Sequence, residues 1–212
     1  MEILYEDDRL VVCLKPYGVV STDEPGGMPS LLRRALGEEQ AVIRTVHRLD
    51  QVVGGVMVYA RTSRAASDLQ RQMEQGLFQK EYWAVVPGCP DPVQGDMSDL
   101  LYRDSCLRKT FVVQEAGKDV RPARLSYKVL GRQEDFSLVS VKLHTGRTHQ
   151  IRCQFASRGM PLVGDGKYGS AYQREGICLW SHRLSFHHPR TEKPLIFVHN
   201  PPDEYPWNLF SS

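Results

Sequence analysis

Short apolar runs rich in β-branched residues, each bounded by Gly, Pro, Asp or charge, set the pattern of this chain and predict strands. They fall at residues 10–14, 55–59, 82–86, 110–113, 126–130, 137–143 and 195–198. Helical periodicity is confined to three places. Residues 64–75 carry Ala66, Leu69 and Met73 along one face, with Ser63 as N-cap and Gly76 as stop. A second helix runs from His149 to about Arg158, capped by Thr148 and ended by Gly159, and a shorter one covers residues 30–36. From 87 to 122 Pro, Gly and Asp punctuate the chain, which predicts loops and hairpins. Leu100, Leu101, Phe111, Val112 and Val113 make that stretch too apolar for a disordered linker. Strands and helices do not alternate regularly. The expected fold class is therefore α+β, a mixed, largely antiparallel central sheet with flanking helices. No repeat or low-complexity tract divides the chain, and residues 1–212 read as a single domain.

Hydrophobic content of 41% and charged content of 25% are those of an ordinary globular protein, so composition excludes fibrous and disordered classes. The net charge of +2 hides an asymmetry. Residues 1–41 hold four Lys/Arg against eight Asp/Glu, whereas residues 141–200 hold nine against three. That distribution fits a basic face for a polyanion opposite an acidic edge, or a chance grouping of solvated charges. Five widely spaced cysteines without a C-x-x-C pair argue against a disulfide framework and a cysteine-rich zinc site, and for reduced thiols in a cytosol. His182, His187 and His188 cluster but match no ligand spacing, so no metal is expected. The acidic N-terminus does not look like a signal peptide, and no apolar run approaches a membrane span. A soluble, cytoplasmic protein is expected.

One segment carries candidate chemistry. His47-Arg48-Leu49-Asp50 precedes a Gly54-Gly55 pair and the apolar run that follows it. In an extended chain Arg48 and Asp50 point to one side. Taken alone, Asp50 closes a turn and pairs with a nearby arginine, or serves as a reactive carboxylate. Downstream lie Lys80-Glu81-Tyr82-Trp83 and the decapeptide Leu143-His144-Thr145-Gly146-Arg147-Thr148-His149-Gln150-Ile151-Arg152. Leu162-Val163-Gly164-Asp165-Gly166-Lys167-Tyr168-Gly169 follows, and Leu14-Lys15-Pro16-Tyr17-Gly18 stands upstream of them all.

These five segments, in this order, resemble the signatures of RluA-type RNA pseudouridine synthases, from about residue 2 to residue 200. The resemblance implies the pseudouridine synthase catalytic fold and an isomerase (intramolecular transferase) acting on uridines of structured RNA, a stem-loop of rRNA or tRNA. It implies no cofactor and no metal. Asp50 would be the catalytic carboxylate, acting as nucleophile or base at the ribose. Arg147 would be its guanidinium partner, with ordinary phosphate binding as the alternative. Tyr82 would pack on the target base and assist proton removal. Arg48 would fill the space of the extracted nucleotide or pair with Asp50. His47, Lys142, Arg152 and Lys167 complete the expected RNA-binding set, while Leu49, Ile151 and also Arg152 would pack or position the site rather than react. Many members carry a separate N-terminal RNA-binding domain. This chain is expected to do without one, and it is compatible with a monomer.

Two departures bear on function. Val53 and Gly54 stand where the family commonly has Thr-Ser, so hydroxyls that could shape the catalytic loop are missing and a glycine could loosen it. Leu125 stands where Thr is usual. They leave a rival reading, a non-catalytic RNA-binding or RNA-folding factor that keeps the synthase fold.

Overall fold

The acidic start of the chain is a turn. Asp7 Oδ1 accepts the N–H groups of Arg9 (2.7 Å) and Leu10 (2.8 Å), which folds β1 (Ile3–Glu6) antiparallel onto β2 (Leu10–Lys15). The computed structural model describes residues 2–210. Within it the chain forms two compact units, Met1–Lys80 with Trp180–Asn200, and Glu81–Leu179 with Pro201–Ser212.

In the first unit α1 (Met28–Leu36) opens with Pro29 in its first turn and closes on left-handed Gly37. β3 (Arg44–Thr45) and β2 both run antiparallel to β4 (Gly54–Ala60), every residue of which is buried. α2 (Ser63–Glu74) follows. Its N-cap is Thr62 and not Ser63, because the Thr62 hydroxyl accepts the Ala65 N–H at 3.1 Å.

The second unit is an antiparallel ladder in the order β5 (Gln79–Pro87), β9 (Phe136–Leu143), β8 (Val120–Gln133), β6 (Gln94–Asp104), β7 (Lys109–Val113). The stretch expected as loops and hairpins is thus mostly the β6–β7 hairpin and the start of β8. α3 (Gln150–Ala156) is shorter than expected. Its N-cap is His149 in a left-handed conformation (φ 54°), and Thr148 is spent elsewhere. The Thr148 carbonyl accepts Thr110 Oγ1, and its hydroxyl accepts Arg103.

The first unit is completed by β10 (Leu179–His187), parallel to β4, and β11 (Pro194–Val198), antiparallel to β10. The pairs given above for each unit are otherwise antiparallel, and the fold is α+β with a mixed, largely antiparallel sheet. The core of this unit packs Val56, Val58 and Ala60 of β4 against Leu10, Val12, Leu69, Phe78, Leu184 and Phe186.

Two glycines let β10 approach β4. Gly54 pairs with Trp180 and Gly55 with Ser181. A Cβ on Gly54 would run into the Trp180 ring. One on Gly55, whose φ is 121°, would lie 2.5 Å from Ser181 N. Gly54 therefore tightens this region where the sequence suggested loosening.

The second unit contains a buried ion pair. Arg152 Nε and Nη2 meet Asp165 Oδ2 and Oδ1 at 2.7 and 2.8 Å, with side-chain exposures of 5% and 1%. The Tyr168 ring lies 5.1 Å from the guanidinium. Arg152 is thus an internal strut. The expectation that it binds RNA is corrected, because its fork is spent on Asp165 inside the unit.

Two stability measurements follow. Gly54→Ser, which restores a family hydroxyl, should lower the urea midpoint by the equivalent of about 2 kcal/mol or more. Pairing it with Trp180→Ala should remove most of that additional loss, and a neutral Gly54→Ser would disprove the clash. Asp165→Ala should cost about 3–5 kcal/mol by stranding a buried guanidinium. Arg152→Met with Asp165→Leu should recover most of it, and a wild-type urea midpoint for Asp165→Ala would refute the strut.

Candidate active site

The turn that carries Asp50 is held by main-chain groups. The Ser21 hydroxyl donates to Leu49 O at 2.8 Å and accepts Leu49 N–H at 3.1 Å, so both backbone groups of that residue are fixed. Asp50 O accepts Val53 N–H at 2.9 Å and closes the turn. Gln51 O accepts Gly18 N–H at 2.9 Å and Lys15 Nζ at 3.1 Å, while the Gln51 side-chain amide donates to Gly18 O at 2.8 Å. The chain before the turn alternates as the sequence suggested: His47 and Leu49 are buried, Arg48 is exposed and Asp50 half-buried.

His47 is the second correction. It is only 6% exposed; its Nε2 accepts the Val58 N–H at 3.2 Å, and its ring stands 5.4 Å from that of Phe78. Burial, helped by the nearby Lys80 charge, pushes its pKa down to about 3. A neutral, buried imidazole tied to β4 offers nothing to a phosphate, so His47 is removed from the RNA-binding set.

Tyr82, Arg147, Lys142 and Lys167 belong to the second unit. Tyr82 is 5% exposed on β5, paired with Val141 of β9. Lys142 is exposed on β9. Lys167 is exposed in a short 3-10 turn (Gly166–Tyr168) and donates to Arg108 O at 2.9 Å.

Arg147 is exposed in the loop before α3, and that loop is organised by Gln150, which is 2% exposed. Gln150 Oε1 accepts Thr145 Oγ1 at 2.8 Å and Arg147 N–H at 3.1 Å, and its Nε2 donates to Arg124 O at 3.1 Å. Arg147 Nε donates to Pro122 O at 3.1 Å, at the edge of a groove lined by Val112, Val113, Pro122, Arg124 and Thr145.

Sequence reasoning missed the residues that hold these loops. Lys15, Ser21 and Gln150 are polar side chains at most 3% exposed. Lys15 left a signal, a charge closing an apolar strand run just before Pro16. Ser21 left none, since its partner lies 28 residues away.

Some chemistries have no arrangement to support them. Ser126 Oγ sits between Asp96 Oδ1 (2.5 Å) and His144 Nε2 (2.6 Å), with the hydroxyl and not the imidazole in the middle. That order differs from a nucleophilic triad, in which the imidazole must bridge. Among the described residues no group of His, Cys, Asp and Glu is placed to hold a metal ion, and no helix is long and apolar enough to cross a membrane.

Comparison with known proteins agrees with the signatures. Residues 9–157 match the family model described as RNA pseudouridylate synthase. An RNA pseudouridine synthase of Aquifex aeolicus is 36% identical over 97% of this chain and 71% of its own length. Ribosomal large subunit pseudouridine synthase D of Nitrosomonas europaea is 32% identical over 96% of this chain and 63% of its own. The chain thus spans about two thirds of the length of these relatives. Human RNA Pseudouridylate Synthase Domain Containing 1 superimposes with a TM-score of 0.81 at 23% identity, covering 99% of this chain and 86% of that one, which shows the shared fold. From its signatures, its fold and these matches together, the chain belongs to the RNA pseudouridylate synthase family.

Proposed function

We propose that this protein isomerises specific uridines of structured RNA, with Asp50 as the catalytic carboxylate and Tyr82 and Arg147 as its partners in the reaction. The observation that carries the reading is the Asp50 turn. Its backbone is fixed at three consecutive residues, while the Asp50 side chain is half-buried next to a segment whose His47 and Leu49 are buried. A carboxylate held by the chain itself is prepared for one geometry.

The isomerisation breaks the bond from ribose C1′ to uracil N1 and forms one from C1′ to C5. The C5 hydrogen leaves as a proton and N1 gains one, so the reaction is redox-neutral. Asp50 would act at the ribose, Arg147 would hold the carboxylate ionised, and the Tyr82 ring would pack on the base. Reaching a paired uridine requires flipping it out at a cost of a few kcal/mol. The exposed Arg48, Lys142 and Lys167 are suited to the displaced backbone. Relatives named for the large ribosomal subunit make rRNA the first substrate to test, with tRNA second, in the cytoplasm. The Val53-Gly54 departure gives little support to a non-catalytic reading, since Gly54 accommodates Trp180.

Carbodiimide mapping of pseudouridine in RNA from cells lacking the gene tests this directly. At least one site should vanish and return with the wild-type gene, but not with Asp50→Ala. Tyr82→Phe, which keeps the ring and removes the hydroxyl, should slow the purified enzyme on the order of 10²-fold. Full restoration by Asp50→Ala would end the assignment.

A further inference from the structure

The first unit buries a lysine completely. Lys15, at the end of β2, is 0% exposed, and its Nζ donates to Pro16 O at 2.9 Å and Gln51 O at 3.1 Å. A lysine at this depth is among the costliest residues a small unit can keep, unless its charge and donors have a use. Its strand partner is Gly55, so it lies alongside the junction where the Asp50 turn enters β4. Gln51 O is the acceptor shared by Lys15 and Gly18, and it belongs to the residue that follows Asp50.

We propose that Lys15 is a positioning residue for catalysis: its buried ammonium grips the carbonyl after Asp50 and places a fixed positive charge beside that carboxylate. This rests on the reading of Asp50 as the catalytic group. The ammonium serves two ends at once. As a donor it fixes the turn more strongly than a neutral group would, because charge-assisted bonds are about twice as strong. As a charge it interacts with Asp50, whose carboxylate in turn favours the protonated lysine.

The device is sensitive to pH. Burial lowers the Lys15 pKa to about 8, although the Asp50 charge opposes the shift. Of the other titratable groups nearby, Cys13 on the same strand remains a thiol up to about 12, and the Tyr17 phenol is packed against Trp180. As pH rises through about 8, Lys15 loses its proton, the grip on Gln51 weakens and the charge beside Asp50 disappears. The effect on stability has the opposite sign. Between about 8 and the ordinary 10.5 the unfolded chain binds the proton that the folded one has released, so this group makes the fold more stable as pH rises. Loss of activity in that range is therefore not unfolding driven by Lys15.

The test follows tritium release from [5-³H]uridine-labelled total RNA of cells lacking the gene, with kcat and KM measured from pH 6.5 to 8.8. Wild-type kcat should fall above pH 8, approaching tenfold per pH unit, with KM constant within about twofold. Lys15→Met should have at least tenfold lower kcat and a flat profile over the same range. A flat wild-type profile overturns the proposal, and does so even where Lys15→Met fails to fold. A folded Lys15→Met with wild-type kcat overturns it as well. Asp50→Ala is run in parallel: if it is active, the reading of Asp50 itself fails, whereas an inactive Asp50→Ala with a flat wild-type profile refutes Lys15 alone.

Discussion

The first unit depends on the approach of the Ser181 backbone to Gly55. That contact joins two stretches of chain more than a hundred residues apart, and its closeness forbids any side chain at position 55. Ser181 strengthens it by donating its hydroxyl to Val56 O at 2.9 Å. Trp180 of β10 covers Gly54, so the start of β4 has no room for a side chain there. The Asp50 turn, which feeds directly into that start, thereby acquires a buried downstream anchor paired on both sides.

What was legible in the sequence follows from the range of each interaction. The strand β4 and the helix α2 declared themselves because their apolar spacing is local. So did the two sides of the Asp50 segment, since alternation in an extended chain needs no partner. β10 was not legible. It buries Ser181 and His182 among its apolar residues, so its polarity reads as surface, and what makes it interior is a pairing fixed from far along the chain. The N-caps of α2 and α3 were misplaced by one residue for a similar reason. Both choices turn on one hydroxyl or one torsion that composition does not show.

Signature residues also divide by task in a way their adjacency conceals. In Gly146-Arg147-Thr148-His149-Gln150-Ile151-Arg152 the arginine at 147 is exposed and the one at 152 is locked to Asp165. Gln150 spends its amide on the backbone and on Thr145. His149 Nδ1 lies 3.0 Å from the Tyr168 hydroxyl, which also meets the Thr110 backbone. A motif recognised by its letters is thus mostly scaffold, with few members left to face a ligand. A similar division shows at His47-Arg48-Leu49-Asp50, where the first and third side chains are buried, the second is exposed and the fourth is half-buried.

This division explains how the chain can lose the family's Thr-Ser without losing the turn. A loop shaped by side-chain hydroxyls at 53 and 54 would be sensitive to their replacement. Here the restraints fall on Leu49, Asp50 and Gln51, and they are main-chain carbonyls and N–H groups met by Ser21, Val53, Gly18 and Lys15. Position 53 contributes only its backbone N–H and a side chain that is 2% exposed, and position 54 needs to be small for Trp180. Apolar Val53 and bare Gly54 satisfy both conditions. The geometry of the Asp50 turn is therefore delegated to the backbone, whose donors and acceptors survive substitution, and to the buried Lys15 ammonium, whose charge does not.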